Sequence, residues 1–217
     1  MITLIIPRFD PSNPKTCIEN MAEAAKGVST PYLAFIHSDV EIYNDEWGFW
    51  VDRHFKLHPK CGLIGFGGAL ALGSPDIYKT PYNLMQLLRY NYYSQQSDHE
   101  IHGYLLTKPL QVAVLDGFAM IFRREAYEAM GGWEDAIKNG LTFHCYDTWA
   151  CCRMTELGWE VWVIPIYCWH RGGETSTSDA YNNWLASKGT ADHIVHESAH
   201  RVIYDRFRNV LPLRIKP

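Results

Sequence analysis

Five apolar residues in a row, Tyr32-Leu33-Ala34-Phe35-Ile36, run straight into the polar cluster His37-Ser38-Asp39. A short unbroken apolar run bounded by turn residues reads as a buried-type strand. The neighbouring segments alternate in character around it. Thr3 to Ile6 is a short apolar run stopped by Pro7, and Cys17 to Lys26 has helical spacing ending at Gly27. Trp47 to Leu57 reads as a helix and Gly62 to Phe66 as a third strand. Gln111 to Leu115 and Phe118 to Phe122 read as strands around an Asp116-Gly117 turn, followed by a short helix, Arg124 to Met130, closed by Gly131-Gly132. Asp147 to Leu157 is a helix stopped by Gly158, and Trp159 to Pro165 is the last strand. The segment from Gly67 to Pro109 fits no single element: after a Gly-rich turn, Tyr90-Asn91-Tyr92-Tyr93 is readable as helix or as ordered loop. Strands and helices in alternation predict an α/β fold.

Composition narrows the function classes. With 217 residues, 47% of them hydrophobic and 14% aromatic, the chain can bury a sizeable core and is not expected to be disordered. A formal charge of −4 gives no general basic field, so neither wrapping of nucleic acid nor lying on an anionic membrane is suggested. Cys17, Cys61, Cys145, Cys151, Cys152 and Cys168 show no paired C-x-x-C spacing. They read as reduced, mostly buried thiols, which favours a cytoplasmic compartment. No apolar run approaches the roughly 18 residues of a membrane span.

Three polar clusters carry candidate chemistry. His37-Ser38-Asp39 emerges where a buried strand ends, and open α/β sheets bind ligands at the carboxyl ends of their strands. The alternative is a surface turn that happens to hold an acid. After the last strand comes Trp169-His170-Arg171-Gly172-Gly173, a histidine in a glycine-rich turn. A carboxylate and an imidazole at two strand ends can hold a divalent cation with positions left for phosphate oxygens. Asp147, in Tyr146-Asp147-Thr148-Trp149, stands at a helix start, where the macrodipole favours its ionised form. It reads as a catalytic base or simply as an N-terminal helix acid.

A further pattern pulls elsewhere. His196-Glu197-Ser198-Ala199-His200 satisfies H-E-x-x-H, in which histidines four apart share a helix face and can bind zinc while the glutamate activates water. A zinc peptidase needs a third protein ligand beyond that helix, yet position 206 is Arg206 and no glutamate follows Glu197. Val195, Ala199, Val202, Ile203 and Phe207 recur at helical spacing, so the segment reads as an amphipathic C-terminal helix packed on the domain.

The order of the elements adds a resemblance. Phe35-Ile36-His37-Ser38-Asp39-Val40-Glu41-Ile42, Gly62-Leu63-Ile64-Gly65, Leu115-Asp116-Gly117-Phe118-Ala119-Met120 with Arg123-Arg124, Phe143-His144-Cys145-Tyr146-Asp147, Arg153, Gly158 and His170 follow one another as in GT-A fold nucleotide-sugar glycosyltransferases. The chain most resembles the family-2-like branch that carries H-x-D-V in place of the D-x-D motif, over about two thirds of its length. The resemblance implies a single GT-A domain over 1–217 with a mostly parallel central sheet flanked by helices. Within it, about 1–110 would bind the donor, about 111–190 the acceptor, and about 191–217 would be the C-terminal helix and tail. It also implies a metal-dependent, inverting transfer of a sugar from a nucleotide-diphosphate sugar, a UDP-sugar foremost, to a hydroxyl of a glycan or other acceptor. Asp39 and His170 would bind Mn²⁺ or Mg²⁺, and Asp147 would be the base. Pro7, Arg8, Asp10, His37, Ser38, Asp116 and Gly117 would contact the donor, while Trp133 and Asp135 would lie on the acceptor side.

Only about two dozen residues separate Asp10 from Phe35. They allow one helix and a turn, since a full strand-helix-strand unit takes about 30 or more, so the nucleotide-binding half is expected to be short and open to completion by a second copy of the chain. Tyr146 and Trp149 stand where related enzymes carry further acids. Two alternatives remain, a non-catalytic carbohydrate- or nucleotide-binding protein of the same shape and the zinc peptidase.

Overall fold

The computed structural model describes residues 1–7, 9–10, 12, 15–73, 91–94, 101–103, 105–173 and 177–215. The chain opens with β1 (Ile2–Ile5), α1 (Cys17–Ala25), β2 (Tyr32–Ile36), β3 (Val40–Ile42), α2 (Trp47–Leu57) and β4 (Cys61–Gly65). Thr16 starts α1 with a capping box closed by Glu19, which satisfies two backbone donors that a helix start leaves open. Short strands β5 (Gly68–Ala69), β6 (Ala71–Leu72), β7 (Asn91–Ser94), β8 (Ile101–Gly103), β9 (Leu110–Gln111) and β10 (Val114–Leu115) follow, then β11 (Ala119–Arg123). The last part holds α3 (Arg124–Ala129), α4 (Gly132–Lys138), α5 (Tyr146–Glu156), β12 (Glu160–Val163), β13 (Cys168–His170), α6 (Asp179–Ser187), α7 (Asp192–Phe207) and β14 (Leu213–Arg214).

The central sheet has the order β1-β2-β11-β4-β12-β9. Strands β1, β2, β4 and β12 run in one direction, while β11 and β9 run against them. Both faces are covered, which is why β2 carries no polar residue. Leu33 and Phe35 pack into the cluster that contains Phe122, Trp133 and Trp149, on the side of α1, α4, α5 and α7. Tyr32, Ala34 and Ile36 face the opposite cluster with Ile64, Val51 and Phe55, under α2. At about 1.5–3 kcal/mol per large apolar side chain buried, these two layers fix the strand register. A slip of one residue would exchange the two sets. Adjacent parallel strands β1 and β2 are joined by α1, in line with the one-helix spacing of the sequence. Among the described residues, no helix is long and apolar enough to cross a membrane.

Four expectations need correction. Trp159 to Pro165 does not hold the last strand, since β13, which ends on His170, and β14 come after it. The run Gln111 to Leu115 is not one strand. Leu110 and Gln111 pair with β12, the Ala113 amide then bonds the Ala69 carbonyl, and Val114 and Leu115 pair with β5, so the chain crosses between two sheets. Asn91 to Ser94, within the aromatic stretch, is a strand rather than helix or loop, and Tyr90 lies outside the described residues. Gly131-Gly132 follows the end of α3 as expected, but Gly132 also begins a further helix, α4, that runs to Lys138.

Candidate functional site

The side chains with candidate chemistry meet because of two short strands that periodicity does not reveal. β3 and β13 pair antiparallel, His170 opposite Val40, immediately beyond the core strands that precede each of them. The ladder continues into the next residues, where the Arg171 amide donates to the Asp39 carbonyl and the Gly172 amide to Asp39 Oδ2 at 3.0 Å. The backbone therefore aims the carboxylate. His170 Nε2 stands 3.5 Å from Asp39 Oδ1, and the His170 ring stacks on Phe118 at 4.7 Å between centroids, 20° from parallel. His37 joins them, its Nδ1 4.0 Å from Asp39 Oδ1. One ligand atom from each of His37, Asp39 and His170 lies within 4.8 Å of the others. Burial alone would raise the Asp39 pKa, but the hydrogen bond and charge of His170, with His37 behind it, hold it below the usual carboxylate range. Burial, then His170, lowers the pKa of His37.

A second wall is built by the start of α5. Asp147 Oδ2 accepts the Gly117 amide at 3.1 Å, and Oδ1 accepts the Thr148 amide at 2.7 Å. Burial pushes Asp147 up to about 6, and the nearby charge of Asp116 adds to it against those hydrogen bonds. The helix start was expected to favour the ionised carboxylate. Desolvation outweighs the dipole here and leaves the group able to exchange a proton near neutral pH. Tyr146 links the two walls: its hydroxyl is 2.6 Å from His37 Nε2 and 3.3 Å from the Gly117 carbonyl oxygen. A Cβ on Gly117 would sit 2.8 Å from that hydroxyl, so the close approach requires glycine. Burial holds the Tyr146 hydroxyl well above its ordinary pKa, in the protonated form that can donate.

Both walls enclose one cavity of about 430 Å³, lined among others by Pro7, Ser38, Asp39, Asp116, Asp147 and His170. That volume suits a small organic ligand. A family model described as glycosyltransferase like family matches residues 12–201. The chain belongs to that family. No curated protein matches it. Its fold is the GT-A arrangement of the family-2-like glycosyltransferases, a mixed sheet with helices on both faces.

Against this family background, the predicted residues separate into three groups. Pro7, His37, Ser38, Asp39, Asp116, Gly117, Asp147 and His170 line the cavity together. Asp10 instead faces solvent and caps its own turn, accepting the amide and hydroxyl of Ser12, and Arg8 lies outside the described residues. Trp133 is fully buried, edge-on to Phe35, Phe122 and Tyr146, so it has no face left for a sugar ring. Its place is in the core behind Tyr146. Asp135 pairs with Arg153 Nε at 3.5 Å on the helical layer, and neither it nor Trp133 belongs to the cavity lining.

Sequence reasoning missed Tyr146, Phe118 and the Gly172 amide as parts of the site. Tyr146 carried one signal, its place beside Asp147 at a helix start. The other two depend on strand pairing across more than a hundred residues. Cys145, His196 and His200 also reach the cavity and form a second cluster, with ligand atoms within 4.8 Å of one another.

Proposed function

We propose that this glycosyltransferase-like protein moves a sugar from a nucleotide-diphosphate sugar, UDP-sugars first, to a hydroxyl of a glycan or similar acceptor, with metal dependence and inversion at the anomeric carbon. The observation that carries the reading is the convergence on one cavity of an aimed carboxylate with two imidazoles and, on the facing wall, the half-buried Asp147. His37, Asp39 and His170 would hold the cation, and two imidazoles beside one carboxylate suit Mn²⁺ better than Mg²⁺. Such an ion supplies charge neutralisation to a departing diphosphate.

The chain's own residues divide the remaining work. Asp39, fixed by the Gly172 amide, presents its other oxygen toward the two imidazoles. Tyr146 holds His37 in place and keeps its hydroxyl at the cavity floor. Asp147 accepts the proton of the acceptor hydroxyl as that oxygen attacks the anomeric carbon, and the Gly117 and Thr148 amides hold the carboxylate in position meanwhile. Residues up to about 110 would make the donor half and about 111–190 the acceptor half. The base-binding side is short, because β1 and β2 are neighbours with α1 as the one element between them among the described residues, and a second copy of the chain could complete it.

Release of free nucleotide from a panel of nucleotide-sugars with Mn²⁺ tests the reading directly. Asp39→Ala should lower release by about 10³-fold, the upper range for removing one preorganised electrostatic group, and should abolish the thermal shift given by nucleoside diphosphate with Mn²⁺. Asp147→Asn should keep that shift and lower turnover by about 10²-fold, the lower end of a general-base contribution. A chain that shows the shift but turns over no donor would be a binding protein. Loss of the shift in Asp147→Asn would remove its assignment as base.

A further inference from the structure

The structure brings to the H-E-x-x-H histidines a thiol from a distant segment. His196 and His200, four residues apart on α7, lie with ring centroids 4.4 Å apart on one face, and Cys145, the residue before α5, places its sulfur with them. We infer that Cys145, His196 and His200 form a second cation site in the cavity wall, one that takes Zn²⁺ through a thiolate and two imidazoles and leaves its fourth position open to water. Four-coordinate zinc, with bonds of about 2.3 Å to sulfur and about 2.0 Å to nitrogen, sets neighbouring ligand atoms roughly 3.3–3.6 Å apart. The three atoms here are within 4.8 Å, so closure needs about 1 Å of side-chain rotation, which the exposed His196 can supply.

Two further features support the site. Cys145 is the only non-glycine residue with positive φ among the described residues, at 59°. Backbone strain of that kind persists where the surroundings demand it and concentrates at functional positions. The second feature is the shell around the cluster. His144 Nε2 is 2.7 Å from Asp192 Oδ1, which also accepts the Tyr181 hydroxyl at 2.8 Å, and the His144 ring lies 5.0 Å from that of His196. Asp192 thus anchors His144, the residue before Cys145, and through it the edge of the cluster against which the His196 ring rests.

Donor chemistry separates this site from the first. The sulfur makes this the softer, zinc-favouring set, whereas the carboxylate among His37, Asp39 and His170 admits harder ions alongside zinc, so the thiolate band and the Asp39→Ala variant tell the two sites apart. The outcome differs from a peptidase as well. Glu197 is exposed and accepts Arg201 Nη2 at 2.8 Å, so the glutamate that would activate water is engaged one turn along the helix. Zinc at Cys145 would tie α7 to the residue adjoining Tyr146 and Asp147, fixing one wall of the cavity.

The experiment uses the full chain, stripped by chelation and reloaded with Zn²⁺ or Co²⁺. One zinc per chain should survive dialysis, and the cobalt form should show thiolate-to-cobalt charge-transfer absorption. Cys145→Ser should lose that band and weaken zinc by more than about 100-fold, since outer-shell partners alone are worth about 10- to 100-fold. His200→Gln should weaken zinc comparably, and it keeps the test decisive if the serine variant misfolds by circular dichroism. Asp39→Ala should retain both band and zinc. Absence of the band in folded wild type, zinc affinity unchanged in Cys145→Ser or His200→Gln, or zinc lost only with Asp39 would each overturn the site. Zinc retention is read without any sugar donor, so this result is independent of whether the chain transfers sugar.

Discussion

Two histidine pairs of this protein, each four residues apart, are put to opposite uses. At the end of α2, His54 and the C-cap residue His58 stack on each other at 4.2 Å and 22°, with the Trp162 ring against both. His54 is 5% exposed, and its Nε2 has no hydrogen-bond partner among the described residues. On α7, His196 and His200 are tilted by 59°, reach the cavity, and meet the Cys145 sulfur. Spacing is identical in the two pairs; what differs is the third group that the fold delivers. An aromatic neighbour covers the first pair, with His54 buried and His58 half-buried beside it, and a thiol makes the second a candidate metal centre.

The largest test of that contrast is pH. Burial, with His58 adding to it, pushes His54 down to about 4 from an ordinary 6.5. The unfolded chain therefore takes up this proton first as pH falls. The stability due to the neutral histidine is complete above pH 6.5, drains away between 6.5 and about 4, and is gone below. The gap is worth at most about 3 kcal/mol. Urea midpoints measured across that range should fall in the wild type and fall less in His54→Leu. An equal slope in both would mean that His54 is not a buried neutral group.

That difference between the pairs also marks what could be read from the sequence. The strand Tyr32–Ile36 and the helix Trp47–Leu57 were legible because local patterning specifies them, and α7 because Ala199, Ile203 and Phe207 recur on its buried face. Asp39, His170 and Asp147 were legible as ends of such elements. Illegible were the three-residue partners β3 and β13, whose pairing is set by long-range packing with no period of their own. The burial of Trp133 escaped for a related reason: a Gly-Gly turn before an aromatic residue looks like a loop, and only α4 seated behind Tyr146 makes it core. Cys145 escaped because it stands half a hundred residues from the histidines it joins.

A smaller effect is expected from moving the cavity wall without touching a histidine. In Gly117→Ala the new methyl would press on the Tyr146 hydroxyl and ring at 2.8–2.9 Å, and Trp133 behind that ring leaves it little room to retreat. A shift of about half an ångström in Tyr146 and Asp147 should lower nucleotide release by about tenfold, since a misplacement near 1 Å can cost about 10². Zinc retention should change less, because the three atoms nearest the new methyl all belong to Tyr146 and none to Cys145, His196 or His200. Unchanged release would show that the Tyr146 contact with His37 has no part in turnover.

The smallest expected effect separates the α7 pair from the peptidase that its pattern suggests. In Glu197→Gln the lost group is an exposed carboxylate paired with Arg201 along the helix, and both side chains remain mostly in water. Such i,i+4 pairs contribute about 0.3–0.5 kcal/mol. The variant should therefore unfold within about 0.5 kcal/mol of wild type, hold zinc as tightly, and release nucleotide at the same rate. A zinc peptidase would respond in the opposite way, keeping its metal while losing hydrolysis almost entirely, because the glutamate is its general base. Peptide hydrolysis present in the wild type and absent in Glu197→Gln would move α7 from the wall of a transferase cavity to the centre of a second active site. The contrast with α2 would then rest on the glutamate as much as on the thiol.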